Sequence, residues 1–87
     1  MLILRPMEPT LHKPIPMGTR VVIPKHYLGK DRVTGTVSGI SSAHIIFGYI
    51  VILDNEIDDP EYGKMKAIVV NGPELVGING ENWKLDT

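Results

Sequence analysis

The sequence predicts an all-β domain, a small barrel of about five short antiparallel strands. Three apolar runs between Met17 and Asn55, each punctuated by glycine, carry this prediction: GTRVVIPK, VTGTVSGI and FGYIVILDN. Short apolar runs bounded by turn residues are typical of strands. Nine glycines and seven prolines interrupt every stretch that could sustain a helical period, so we expect no helix.

The strands follow in chain order from this pattern. They are expected at about Thr19–Pro24, Arg32–Ser41, Ile45–Leu53, Lys64–Val70 and Val76–Ile78. Alternation along the second strand places Gly35 and Gly39 on the inner face. Glycine at such positions indicates a close backbone approach or a sharp bend, which a tight barrel requires.

The remaining segments are predicted as connections. Lys25–Asp31 and the acidic stretch Asp54–Gly63 are expected to be loops, and Asn71–Leu75 a turn that closes into one 3₁₀ turn. Trp83 and Leu85 are expected to pack onto the barrel as a terminal plug.

The chain divides into an N-terminal arm, residues 1–17, and a barrel domain, residues 18–87. Four prolines lie within eleven positions of the arm: Pro6, Pro9, Pro14 and Pro16. Proline fixes φ and removes a hydrogen-bond donor, so the arm should be extended. Either it is a frayed tail, or it lays Leu2, Leu4 and Leu11 across its own barrel or that of a neighbour.

Composition bounds the function classes. The 87 residues are 43% apolar and 22% charged, which is ordinary for one folded domain. Without cysteine the chain has no disulfide framework and no thiolate metal site. No run approaches the roughly 18 apolar residues of a membrane span, so a cytoplasmic protein is the expectation. Residues 1–40 carry a net charge of +4 and residues 41–87 a net charge of −5. Either the two halves interleave in a compact barrel and form no bipolar surface, or the asymmetry favours head-to-tail contacts between copies.

The third strand is apolar on both of its predicted faces. Phe47, Tyr49, Val51 and Leu53 point one way, and Ile46, Ile50 and Ile52 point the other. On the fourth strand, Met65, Ala67 and Val69 are expected to point inward. A small antiparallel barrel has one interior, so the second apolar face needs a cover. We therefore predict a non-enzymatic interaction module that forms a homo-oligomer, whose interface consists of Ile46, Ile50, Ile52, Ile68 and Val70.

Candidate metal and catalytic groups do not form a recognisable site. The densest carboxylate cluster is Asp54, Glu56, Asp58, Asp59 and Glu61, but the EF-hand positions six and twelve from Asp54 hold Asp59 and Met65. His12, His26 and His44 lie on separate predicted loops or termini without metal-ligand spacing. The serines near His44 have no third group to orient the base. We expect no cofactor and no enzyme activity.

The element order and glycine spacing resemble the SH3-like barrel, with a long first loop and a 3₁₀ turn before the last strand. Within it, Gly18-x-x-Val21-x-Ile23, then Gly29, then Gly35-x-Val37 resembles the KOW motif of ribosomal and transcription-factor barrels. The resemblance implies contact with RNA or the ribosome through a strand pair and its glycine-bearing loop. The residues themselves also offer a candidate surface, because basic side chains interleaved with an aromatic suit a nucleic-acid backbone and one stacked base: Arg20, Lys25, His26, Tyr27, Lys30 and Arg32. The alternative is a solvated first loop. Pro24 and the His26-Tyr27-Leu28 loop depart from the family pattern.

Gly48-Tyr49-Ile50-Val51 is similar to a strand of the plasmid-type dihydrofolate reductases, which are tetramers of SH3-like barrels. That resemblance implies a reductase pore with a Val-Gln-Ile-Tyr sequence on a later strand. The aligned positions here are Ala67-Ile68-Val69-Val70, which lack the glutamine and the tyrosine. A pore-type reductase is therefore the least favoured of the three functions.

Overall fold

The computed structural model describes residues 12–41 and 48–84. Its five strands form one antiparallel sheet in the order β4-β3-β2-β1-β5, which confirms the all-β prediction. The strands are β1 (Arg20–Ile23), β2 (Val33–Ser41), β3 (Gly48–Asp59), β4 (Gly63–Val70) and β5 (Val76–Gly77). A 3₁₀ turn at Gly72–Glu74 precedes β5, as the composition of that segment predicts.

The inner face of the sheet holds the core, because apolar residues alternate along β1, β2 and β3 with their inward members in register. Val37 lies opposite Val51, and Val21 opposite Gly35. Gly35 permits the close approach expected of it, since a Cβ there would lie 2.5 Å from the carbonyl oxygen of Ile52. The buried apolar residues form one cluster: Ile15, Val21, Ile23, Val37, Tyr49, Val51, Leu53, Ile57, Val70, Leu75 and Trp83.

A bulge in β2 overturns the predicted facing of its last residues. The register shifts between Val37 and Gly39, so Gly39 pairs with Ile50 and Ile40 pairs with Tyr49. A Cβ on Gly39 would lie 3.8 Å from the Ile50 Cδ1 atom, which places Gly39 on the outer face. One extra residue reverses every later side chain of a strand, and simple alternation cannot anticipate it.

The facing predicted for the C-terminal half of β4 is wrong. Tyr49 pairs with Val70 and Val51 with Ile68, so these two β4 residues share the core face of the sheet. Val70 has an exposed fraction of 0%, and Ile68 packs against the core. Both alternating sets of β4 are apolar, so the pattern leaves the phase of the strand undecided until the pairing with β3 sets it.

Two predicted loops contain regular structure. Lys25–Leu28 forms a single helical turn, α1, after Pro24, and Gly29 ends it with φ +70°. One turn is too short to show a helical period in the sequence, and the expectation of no helix is therefore wrong. The acidic stretch is also no loop at its start: β3 runs on to Asp59, with Asp58 opposite Lys64. The exposed charged residues of a two-stranded hairpin have the same composition as a loop, so the sequence pattern did not reveal the strand.

The ends of the described chain cover the β5 edge of the sheet. Asn82 forms a bridge with Val76, and Lys84 forms one with His12. The Lys13 amide donates to the carbonyl oxygen of Trp83 at 2.7 Å. Ile15 is buried in the core, so residues 12–16 of the arm pack on their own sheet. Trp83 packs in the core as expected; Leu85 and the arm residues Leu2, Leu4 and Leu11 lie outside the described residues.

Candidate interaction surface

Four apolar residues form a surface on the outer face of β3 and β4, which we call the outer patch: Ile50, Ile52, Ala67 and Val69. Ile50 lies opposite Val69 and Ile52 opposite Ala67, so the four side chains form two adjacent cross-strand pairs. Ile52 is 45% exposed and Ala67 is exposed, while Ile50 and Val69 are partly covered. Of the five interface residues that the sequence predicts, only Ile50 and Ile52 are in the patch. Ile68 and Val70 face the core, and Ile46 lies outside the described residues.

An apolar groove of about 490 Å³ adjoins the outer patch, and we call it the edge groove. Ile50, Ala67 and Val69 line it from the outer face of the sheet, whereas Ile68 belongs to the core face. A cavity that touches both faces of one strand must run along the edge of that strand. Its other lining residues are Tyr27 and Leu28 of α1, Tyr62 of the β3–β4 turn, and Asp59 and Met65 on the strands beside that turn.

The edge of β4 is open along the described chain. Among residues 12–41 and 48–84, β4 pairs with β3 alone. Eight residues of strand therefore present backbone donors and acceptors on one side. Sequence reasoning placed Ile50 and Ile52 on the outer face but expected Ile68 and Val70 beside them instead of Ala67 and Val69. It did not predict the groove, because α1 and β4 are far apart in the chain.

The basic residues proposed for nucleic-acid contact do not form one cationic surface. Both guanidinium nitrogens of Arg20 bind the Asp54 carboxylate at 2.6 Å on the outer face of the sheet. The hydrogen bond from Arg20, helped by one from Thr34, lowers the pKa of Asp54 to about 2. Lys25 lies 3.7 Å from Asp31. Two of the four basic side chains in this group are therefore paired with neighbouring carboxylates.

The last two basic candidates line a separate polar cleft. Lys30 and Arg32 line a cavity of about 400 Å³, and Glu56 and Asp58 form an acidic part of its wall. Arg32 has φ +54°, which a non-glycine residue adopts rarely. The acidic wall weakens the attraction of this cleft for a phosphate backbone.

A hydrogen-bonded cluster joins α1 to the 3₁₀ turn, and we call it the Tyr27 cluster. The Tyr27 hydroxyl donates to the Glu74 carboxylate and accepts from the Asn71 amide at 3.2 Å. The Nε2 atom of His26 lies 3.0 Å from the other Glu74 oxygen. Burial, and then the bond to Glu74, raise the pKa of Tyr27 to about 12. The bond from Tyr27 is the main reason why the pKa of Glu74 is lowered.

The Tyr27 cluster fixes α1 beside the edge groove, and the sequence gives little sign of it. The residues that it joins, on α1 and at the 3₁₀ turn, are 44 to 48 positions apart in the chain. Only the spacing of Asn71 and Glu74 within one turn hints at a local hydrogen bond, which the structure contains at 3.3 Å. The cluster therefore holds the Tyr27 side chain in one wall of the edge groove.

The described residues contain no group of three or more metal-ligating side chains. His12 binds the Tyr49 hydroxyl at 2.9 Å, His26 binds Glu74, and His44 lies outside the described residues. None of the helices in the described ranges is long and apolar enough to cross a membrane. Tyr49, the tyrosine of the Gly-Tyr-Ile-Val sequence, is buried, and its hydroxyl binds His12 of the arm.

The chain was compared with known proteins at three levels. It matches no protein-family model, no curated protein and no solved structure. The geometry of the molecule is therefore the basis for its functional assignment.

Proposed function

We propose that this protein is a small non-enzymatic β-sheet module that self-associates through the outer patch and the edge groove. The strand order and the 3₁₀ turn directly before β5 support its description as an SH3-like barrel. The observation that carries the proposal is the coincidence of three features at β4. An open edge, an apolar patch and an apolar groove all meet along one strand.

The energetic reason is the apolar surface that water contacts there. Each buried methylene group contributes roughly 0.8 kcal/mol, so covering Ile52 and its three neighbours provides several kcal/mol toward association. A contiguous exposed apolar surface beside a strand edge is more typical of an interface than of a solvated face. Scattered exposed apolar residues, such as Val76 on the covered edge, need no such explanation.

Light scattering across a range of protein concentrations tests the proposal. We expect the wild type to have a mass above that of one chain, and Ile52→Lys to shift it toward monomer. Val76→Lys is the matched control, because Val76 is 43% exposed and Ile52 is 45% exposed. Circular dichroism should show that both variants remain folded. A wild type that stays monomeric at every concentration would contradict the proposal.

Contact with RNA through a KOW-like loop is the alternative, and the pairing of Arg20 and Lys25 with carboxylates gives it less support. Its test is salt-dependent binding of a generic oligonucleotide. Binding that is lost on Lys25→Glu with Lys30→Glu would favour the alternative. Absence of binding at low salt would exclude it.

A further inference from the structure

We propose that β4 of one copy pairs antiparallel with β4 of a second copy, with Ala67 of each chain on a two-fold axis. This inference rests on the proposed self-association and specifies its geometry. The two sheets would join edge to edge, and the outer patches of both copies would become continuous.

The edge groove indicates that a strand is the occupant. A strand added to β4 places its side chains alternately on the two faces of the sheet. The groove is apolar on both sides, with Ala67 and Val69 on the outer face and Ile68 and Leu28 on the inner face. Both sets of side chains on the added strand would therefore contact apolar surface, while its backbone completes the ladder of β4.

The sequence of β4 is self-complementary in one register. Joining the outer faces of both copies requires that outward residues lie opposite outward residues, so paired positions must share parity. With Ala67 opposite Ala67, Met65 lies opposite the partner's Val69, Lys66 opposite the partner's Ile68, and Lys64 opposite the partner's Val70. Several registers place outward residues opposite outward residues. Of these, the one with Ala67 opposite Ala67 gives the longest overlap in which no lysine lies opposite a lysine.

The charges at the two ends of β4 fit the same arrangement. The β3–β4 turn carries Asp59 and Glu61, and at the opposite end of β4 the Asn71 amide binds Tyr27 of α1. Antiparallel pairing brings the acidic turn of each copy beside the partner's α1, where the exposed Lys25 would exchange its 3.7 Å contact with Asp31 for one with the turn. Glu74 at that end is already engaged by Tyr27 and His26 of its own chain. Because of the two-fold symmetry, this contact between opposite charges would occur twice in the dimer.

Cysteine cross-linking tests the register, because the natural chain contains no cysteine. Directly opposite Cα atoms in an antiparallel pair lie about 4.5–5.5 Å apart, within the roughly 4.4–6.8 Å range of a disulfide. We expect Ala67→Cys to form a disulfide-linked dimer under mild oxidation. Val69→Cys should not, since the two Val69 residues would be offset by about 13 Å along the strands. Val76→Cys controls for random collision of exposed thiols at the other edge of the sheet.

Three outcomes separate this inference from the proposed function. A dimer that links several-fold more through Ala67→Cys than through either control supports both. An oligomer by light scattering whose three cysteine variants link equally, or most through Val76→Cys, overturns edge pairing and leaves self-association intact. A monomer without cross-links overturns both. Ala67→Lys, which needs no oxidation, should also reduce the mass of the assembly.

Discussion

The two edges of the sheet differ in whether the described residues cover them. At the β5 edge, residues 82–84 pair with Val76 and with His12, and Ile15 of the arm enters the core. At the β4 edge, the described chain provides no further strand. Edge strands are prone to pair with other chains unless they are covered. The ends of the described chain cover one edge, and the other edge is the one at which we propose that a second copy binds.

Side-chain chemistry follows the same division. The covered edge is held by long-range hydrogen bonds, including that of the Tyr49 hydroxyl with His12. The open edge carries two lysines, and one of them, Lys66, is held over its own sheet by Glu56 at 3.3 Å. Lysine on an edge strand discourages indiscriminate pairing. This composition favours one register rather than general aggregation.

The largest expected effect comes from removing the arm residue that fills the core. Ile15→Ala should lower the free energy of unfolding by about 2–5 kcal/mol, because a fully buried isoleucine is replaced by a cavity. Urea unfolding measures this loss. Met17→Ala is the control, since Met17 is exposed next to the same turn, and it should change stability by less than about 0.5 kcal/mol. Equal stability of both variants would mean that the arm does not cover this edge.

Tyr49→Phe should cost about 1–3 kcal/mol of unfolding free energy. The hydroxyl accepts a hydrogen bond from the buried Ile15 amide at 3.4 Å and binds His12, so its removal weakens the attachment of the arm. Tyr62→Phe serves as the comparison, because Tyr62 is 73% exposed in the β3–β4 turn. If the two phenylalanine variants unfold at the same urea concentration, the hydroxyl of Tyr49 contributes nothing to the covered edge.

The Tyr27 cluster should make stability depend on pH at both extremes. The pKa of Tyr27 is raised from 10.0 to about 12, so its contribution is complete below pH 10 and is lost as the pH rises toward 12. The pKa of Glu74 lies below its ordinary value of 4.5, so its contribution is present above that value and is lost as the pH falls below it.

Tyr27→Phe isolates the cluster from the other titrating groups. It should lower stability at neutral pH by about 0.5–1.5 kcal/mol, as the loss of a hydrogen bond predicts. Urea unfolding between pH 8 and pH 12 should show that the unfolding free energy falls less with rising pH in the variant than in the wild type. If the unfolding free energy of the variant falls with pH as steeply as that of the wild type, ionisation of Tyr27 does not contribute to the alkaline loss of stability.

The smallest effect is expected at the open edge. Ala67→Ser should change the unfolding free energy of the monomer by less than about 0.5 kcal/mol, because Ala67 is exposed on an edge strand. Thermal unfolding at dilute concentration measures it. A loss of several kcal/mol would mean that Ala67 is buried within one chain, and the comparison between the two edges would then fail.

Sequence reasoning predicted the fold class and most strand positions, since apolar alternation and turn glycines are local signals. It also predicted Gly35 as a point of close approach, which is confirmed, and Trp83 as a terminal residue packed onto the strands, which the structure places in the core cluster. For the candidate site it identified Ile50 and Ile52 but assigned Ile68 and Val70 to the wrong face. Local alternation does not decide which of two apolar sets faces the core.

Other features are invisible in the sequence because they depend on long-range contacts. The extra residue at Ser38 shifts the register of β2 only when β3 is beside it. The Tyr27 cluster joins residues of α1 to the 3₁₀ turn across 44 or more positions. Neither has a periodic signature.

The amino-acid pattern by itself determined that this chain forms short antiparallel strands and carries more apolar strand surface than one small interior can hold. The tertiary structure decided where that excess lies, because pairing with β3 turns Ile68 and Val70 inward and leaves Ile52 and Ala67 exposed. It also decided which edge the chain covers with its own ends. Strand formation depends on neighbours in sequence, whereas facing and edge coverage depend on hydrogen-bond registers between segments that meet only in the folded molecule.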